Sequence, residues 1–273
     1  MSQSGSSKTL SLCILSCEDS PPYQTSSPGT PSGLVLELLK STFQLSIDAC
    51  KSKSTSSQRF SYEDVSFTVF NAKLEQYPSN FEDYDGIVIP GSLSSSYSTE
   101  PWIVTLGSKV LQIHSQKIKT IGICFGHQIL AHYGGGTTSK NEEGNVGQIK
   151  FSPVTTDSEL FGEEDVWLLC SHNDVICKKP INAVTIFSSE NVEFQGLSYI
   201  DPSTSKPYCY TIQSHPEYSP NLPSNPRIIE DITKAFCGGG EDVKGMIEGI
   251  EWEKVKRGSE RVVSGFLLGL FSS

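Results

Sequence analysis

The stretch TIGICFGHQILAHY, Thr120–Tyr133, decides the fold. Its first five residues read as a short apolar strand, and Phe125–Tyr133 carries helical spacing that stops at the Gly134–Gly136 cluster. A strand running straight into a helix, with Cys124 held between Gly122 and Gly126, is the cysteine counterpart of the G-x-S-x-G nucleophile elbow. The tight turn needs near-absent side chains on either side of its centre and forces the central residue into a strained backbone, exposed above the sheet edge. There the sulfur faces the positive end of the following helix, which favours a thiolate.

Working outward, strands and helices alternate. Leu10–Cys17 reads as a buried strand, followed by turn-rich Glu18–Pro31 and a packed helix over Gly33–Leu45. Lys51–Arg59 is a polar insert, Val65–Phe70 alternates as a second strand, and Asp85–Pro90 is a third. Glu100–Gln116 is helical, with Pro101 in the first turn and an inward stripe of Trp102, Ile103, Leu106, Val110, Leu111 and Ile113. This order predicts an α/β fold, a mostly parallel central sheet with helices on both faces. From Gly147 the pattern shifts to short strands at Ile149–Phe151, Val166–Cys170, Ala183–Phe187, Phe194–Tyr199 and Tyr208–Ile212, which predict a small antiparallel extension. Two helical segments, Arg227–Phe236 and Val243–Leu270, follow on either side of Gly238–Gly240. The expected organisation is a disordered lead over residues 1–8, a single domain over 9–273, and a C-terminal helical extension over 225–273.

Composition sets the class. The chain has 273 residues, 21 basic against 31 acidic side chains for a net charge of −10, and 36% hydrophobic residues. That is enough to bury a full core, and the acidic balance argues against nucleic acid or an anionic membrane as partner. No stretch approaches the ~18 apolar residues of a membrane span, and the Ser-rich start lacks the pattern of a secretory signal. The eight cysteines are scattered, most within apolar runs, so they read as reduced thiols and predict a cytoplasmic protein.

A nucleophile of this kind needs a base, and the base an orienting group. Gln213-Ser-His215-Pro216-Glu217 offers both. Pro216 biases His215 toward extended backbone, where residues two apart share a side, and Glu217 can accept a hydrogen bond from the ring directly or through a local turn. Following strand Tyr208–Ile212, His215 is expected at a strand end, where open α/β sheets place their sites. Cys170, His172 and Cys177 match no zinc spacing, and no metal or cofactor is expected. His127 reads as a packed or supporting residue and His132 as a surface one.

The pair of motifs resembles the class I glutamine amidotransferase family, which joins a G-x-C-x-G-x-Q elbow to a downstream His-x-Glu. The resemblance covers residues 80–220 and implies a flavodoxin-like fold. It implies Cys124 as nucleophile, His215 as general base and acid, and Glu217 as the orienting carboxylate. The turn Ile89-Pro90-Gly91-Ser92 matches the family's strand end, so the backbone N–H groups of Gly91 and Phe125 are the implied oxyanion hole. Gln128 matches a position that helps hold the substrate. Ser171-His172-Asn173-Asp174-Val175 resembles the family's His-Gly-Asp-x-Val loop at the glutamine pocket, with Asn173 where Gly is common.

The implied activity is hydrolysis of the γ-amide of glutamine through a γ-glutamyl thioester, releasing ammonia for a separate synthetase, since no nucleotide loop follows residue 220. The alternative is a γ-glutamyl peptidase acting on glutathione-type conjugates. A third reading, a silent binding subunit, is opposed by the intact Cys124, His215 and Glu217. The enzymes differ in the room beyond the scissile bond, so the segments 92–100 and 140–147 are expected to decide the substrate.

Overall fold

A computed structural model describes residues 8–19, 30–52, 62–154, 158–219 and 248–272. Residues 1–7 of the lead, most of the polar insert, the Arg227–Phe236 helix and Gly238–Gly240 lie outside the described residues.

The first half is built from β1 (Thr9–Ser16), α1 (Pro31–Ser52), β2 (Asp64–Asn71), β3 (Gly86–Ile89), α2 (Pro101–Gln116), β4 (Thr120–Ile123) and α3 (Phe125–Tyr133). The second half adds β5 (Thr137–Pro153), β6 (Val166–Lys178), β7 (Ala183–Ser188), β8 (Gly196–Asp201) and β9 (Lys206–Ile212). Among the described residues these strands form one nine-stranded sheet in the order β2-β1-β3-β4-β9-β8-β7-β5-β6. β2, β1, β3, β4 and β9 pair in parallel, and β9, β8, β7, β5 and β6 pair antiparallel. The expected mostly parallel core with an antiparallel extension is therefore present, and the last strand in sequence, β9, sits at the seam between the two.

Alternation along the strands puts a core on each face. Leu10, Leu12 and Ile14 of β1, Val88 of β3 and Ile121 and Ile123 of β4 pack with α1 and the last helix, Trp252–Phe271. Cys13 and Leu15 of β1 and Ile87 and Ile89 of β3 turn the other way, onto α2 and α3. A strand buried on both faces shows apolar side chains at both parities, as β1 and β3 do, and that is why their runs read as near-continuous. The last helix is Trp252–Phe271, the start of the expected Val243–Leu270 segment, residues 243–247, lying outside the described residues; the helix packs on β6, on α1 and on the turn Pro216–Tyr218. Phe266 stacks on Tyr210 of β9, their rings 5.3 Å apart and 3° from parallel.

Three expectations need correction. Leu111 is 53% exposed, because it falls off the stripe that buries Trp102, Ile103, Leu106, Val110 and Ile113 of α2. The segment 140–147, expected as a loop, lies inside β5, and Ser171–Val175 lies inside β6. The two strands form a long antiparallel arm with a register shift between Lys140 and Asn145. Its Ile149–Phe151 and Val166–Cys170 parts were expected as strands, but charged and polar residues hide the stretch around Lys140 and Asp174 from a hydrophobicity reading, because backbone ladder bonds hold it.

The elbow joins β4 to α3 under tight steric limits. A Cβ on Gly126 would lie 2.0 Å from the carbonyl oxygen of Ile89, and one on Gly122 would lie 2.6 Å from a Leu130 methyl and 2.9 Å from the Gly126 backbone. Gly126→Ala must therefore push α3 away from β3. Chemical unfolding should show a loss of about 2 kcal/mol or more, the range of overpacked cores.

Candidate active site

Because β3, β4 and β9 are parallel neighbours, their C-terminal ends share one edge of the sheet. Gly91 follows β3, Cys124 follows β4, and His215 follows β9. Cys124 has φ 51° and ψ −103°. The other non-glycine residues with positive φ in helix caps, Glu75 and Lys117, sit in the left-handed well, with ψ near 30° and 38°. Cys124 lies outside that well, a conformation costing on the order of 1–3 kcal/mol and kept only where surroundings enforce it. Here the enforcement is its N–H bond to Ile212 O (2.8 Å), the Gly126 N–H bond to Pro90 O (3.2 Å) and the Gln128 N–H bond to its own carbonyl (3.0 Å). Contrary to the expectation of an exposed thiol, Cys124 is 5% exposed and is reached through a cavity.

His215 is held on four sides. Its backbone N–H bonds Leu169 O at 2.8 Å, its Nδ1 bonds Glu217 Oε1 at 2.7 Å, and its ring stacks on Tyr218 at 4.4 Å and 7°. A Cβ on Gly91 would touch it at 3.0 Å and the Cys124 Cβ at 3.7 Å, so Gly91 packs against both. The carboxylate arrives through a 3-10 turn, Pro216–Tyr218, rather than along an extended strand. With Nδ1 committed to Glu217, Nε2 is the nitrogen left for the sulfur. Burial lowers the imidazole, but the Cys124 sulfur and the Glu217 carboxylate outweigh it and raise the ring to about 10.

The cavity, about 220 Å³, is lined by Cys124 and Gln128, by Ser92, Leu93, Ser94, Ser95 and Tyr97 of the β3–α2 loop, and by Lys140, Ser171, His172, Asn173 and Asp174 of the arm. All four residues expected to hold substrate thus meet the cysteine at one cavity, although three of them come from a strand. His172 Nδ1 donates to Asp174 O (3.1 Å), and Nε2 has no partner among the described residues. Burial, and then the neighbouring His215, lower its ring to about 3, so it stays neutral. Ser171 Oγ is also without a partner. His127 is fully buried between Thr211 Oγ1 (2.7 Å) and Phe194 O (2.9 Å), a packing role as expected. Among the described residues, no group of three or more His, Cys, Asp and Glu is placed to hold a metal, and no helix is long and apolar enough to cross a membrane.

A thiol on a strained elbow, an imidazole beside it and a buried carboxylate behind that form the chemical layout of a cysteine-dependent acyl-transfer site. Residues 45–235 match the family described as glutamine amidotransferase class-I, and the chain belongs to that family. Gamma-glutamyl peptidase 3 of Arabidopsis thaliana is 27% identical over 67% of this chain and 79% of its own. A GMP synthase of Cytophaga hutchinsonii is 29% identical over 60% of this chain but only 32% of its own. A crystal structure of a glutamine amidotransferase from Methylobacillus flagellatus superposes with a TM-score of 0.62 at 17% identity, covering 97% of this chain and 96% of that one. The named relatives make the chain one of a family of amidohydrolases.

Sequence reasoning gave no role to Tyr218 or Gln213, and it reached Tyr97, Lys140 and Asp174 only through the segments 92–100, 140–147 and 171–175 that hold them. Gln213 Nε2 lies 3.7 Å from the Cys124 sulfur, and its position two residues before His215 was the available signal. Tyr97 donates to Asp174 Oδ1 at 3.1 Å across the cavity mouth, a contact between segments 77 residues apart that no local pattern announces.

The raised His215 has a consequence for stability. The folded state holds this proton more tightly than the unfolded chain, whose imidazole titrates near ~6.5, so the contribution is complete below that pH and is lost as pH rises toward about 10. Urea unfolding should show stability falling across that window, and Glu217→Gln should flatten the fall; an equally steep decline in that variant contradicts the assignment.

Proposed function

We propose that the protein hydrolyses the C–N bond of a γ-glutamyl compound through a thioester on Cys124. One juxtaposition carries this reading: Cys124 on its strained elbow, with His215 anchored on Glu217 at 2.7 Å and Gly91 packed against both. The Cys124 sulfur attacks the γ-carbonyl carbon. The N–H groups of Gly91 and Phe125 take the developing oxyanion; that of Phe125, at the first position of α3, has no partner within the helix. Protonated His215 gives its proton to the leaving nitrogen, and the amine departs. Water, deprotonated by the now neutral His215, attacks the thioester and expels the thiolate, leaving glutamate and recovering the enzyme. Glu217 holds Nδ1 throughout and balances the imidazolium charge.

Gln128, Ser171, His172 and Asn173 are the proposed grip on the glutamyl end, and the unpartnered Ser171 Oγ and His172 Nε2 are polar atoms left for it. A cavity of about 220 Å³ suits one amino-acid unit, being below the ~300–1,000 Å³ of pockets for larger ligands. Leu93, 83% exposed, and Tyr97 stand at its rim, where the group beyond the scissile bond would lie. The Arabidopsis relatives, named gamma-glutamyl peptidases, favour γ-glutamyl peptides as the substrate class. The second reading is glutamine itself, with ammonia passed to a separate synthetase, and the GMP synthase match supports it. The proposed setting for either is the cytoplasm.

The purified protein should release glutamate from γ-glutamyl dipeptides or glutathione conjugates faster than from glutamine in one glutamate-release assay; the reverse order selects the second reading. Cys124→Ala should lower either rate by about 10³-fold or more, and wild-type rates in that variant overturn the mechanism.

A further inference from the structure

The Cys124 sulfur has a second polar neighbour besides His215. Gln213, wholly buried at the end of β9, points Nε2 at it from 3.7 Å. Which end of an amide faces a sulfur is ambiguous in isolation, but here the bonding partners fix it. The Asp174 backbone carbonyl can only accept, so the Gln128 atom 2.8 Å from it is the amide nitrogen. The second N–H of that nitrogen goes to Gln213, 3.3 Å away, which must therefore present Oε1. With Oε1 taken, the amide of Gln213 turns its N–H toward Cys124. The Gln213 backbone is pinned by its N–H bond to Gln195 O at 2.8 Å. The result is a polarity chain that starts at the cavity wall, on Asp174 and Gln128, and ends as a donor on the sulfur.

We propose that Gln213 is a further catalytic residue, a hydrogen-bond donor to the Cys124 thiolate that is aimed by Gln128 and Asp174. The proposal rests on the thioester reading given above. Negative charge on the sulfur is greatest in the free thiolate and is lost in the thioester. A donor there favours the thiolate before attack, and again when the second tetrahedral adduct collapses, breaks its C–S bond and returns the electron pair to sulfur. Because successive amides in a chain polarise one another, the donor is stronger than an isolated Gln would be. Gln213 does not line the cavity, whereas Gln128 does, so the chain also ties the substrate wall to the nucleophile.

The test is the alkylation rate of Cys124 by iodoacetamide at pH 7 in the full chain, with the modified site read by peptide mass. This readout requires no γ-glutamyl substrate. Gln213→Met removes the donor at similar length, and Gln213→Glu replaces N–H by oxygen at the same shape. Both should slow alkylation about tenfold or more, the size of one hydrogen bond to a charged acceptor. Both should also lose the 240 nm thiolate absorbance measured against Cys124→Ser. Gln128→Leu, which removes the link that orients Gln213, should slow alkylation in the same direction. A folded Gln213→Met protein that alkylates within twofold of the wild type overturns the proposal; if that variant does not fold, Gln213→Glu decides by the same criterion. Failure of the wild type to release glutamate from any substrate would sink the proposed reaction while leaving the alkylation result standing.

Discussion

The contact on which the site depends is the approach of Gly126 to the carbonyl of Ile89, so close that a methyl group cannot enter. It brings the start of α3 down onto the end of β3. That position forces Cys124 into a backbone region that a side chain would otherwise avoid, and Gly91 packs beside the Cys124 Cβ. The hydrogen bond from Gly126 to Pro90 and that from Cys124 to Ile212 lock the elbow to both neighbouring strands. Strain in the one residue is thus held by its flanks, and the cost falls on the sheet rather than on flexible loops.

The rest of the molecule steadies these three strand ends. Two cores, one on each face of the sheet, keep β3, β4 and β9 in register. The last helix reaches the site indirectly: it packs on the turn that carries Glu217 and Tyr218, and on β6, whose Leu169 carbonyl holds the His215 backbone. The imidazole is therefore fixed by its own turn, by a neighbouring strand and by a ring stacked on its face. An imidazole so fixed keeps Nε2 toward the sulfur in both of its protonation states.

Much of this was legible in the sequence, and the reasons differ by element. The elbow could be read because glycines at 122 and 126 have a steric job that no other residue can do. The parallel strands could be read because burial on both faces leaves continuous apolar runs. Of the arm, Ile149–Phe151 and Val166–Cys170 could be read as strands, but the stretch around Lys140 and Asp174 could not, since it pairs through backbone bonds and shows no apolar period. The cavity wall was found in the right place for the wrong reason: Ser171, His172 and Asn173 line it, but from a strand. Tyr218 and Gln213 lay beside a recognised motif, and their contacts depend on a stacking angle and on an amide orientation that only coordinates supply.

The placement of β9 between β4 and β8 sets the order in which function arises. During synthesis β4 and α3 exist first, yet β9, whose Ile212 carbonyl helps hold the elbow and whose end carries the imidazole, arrives some ninety residues later and must insert into the middle of the sheet. Contacts of such long sequence separation form late, after loop closure has been met elsewhere. A partly made or partly unfolded chain thus carries the cysteine without its base, and the reactive pair exists only in a molecule whose sheet is complete.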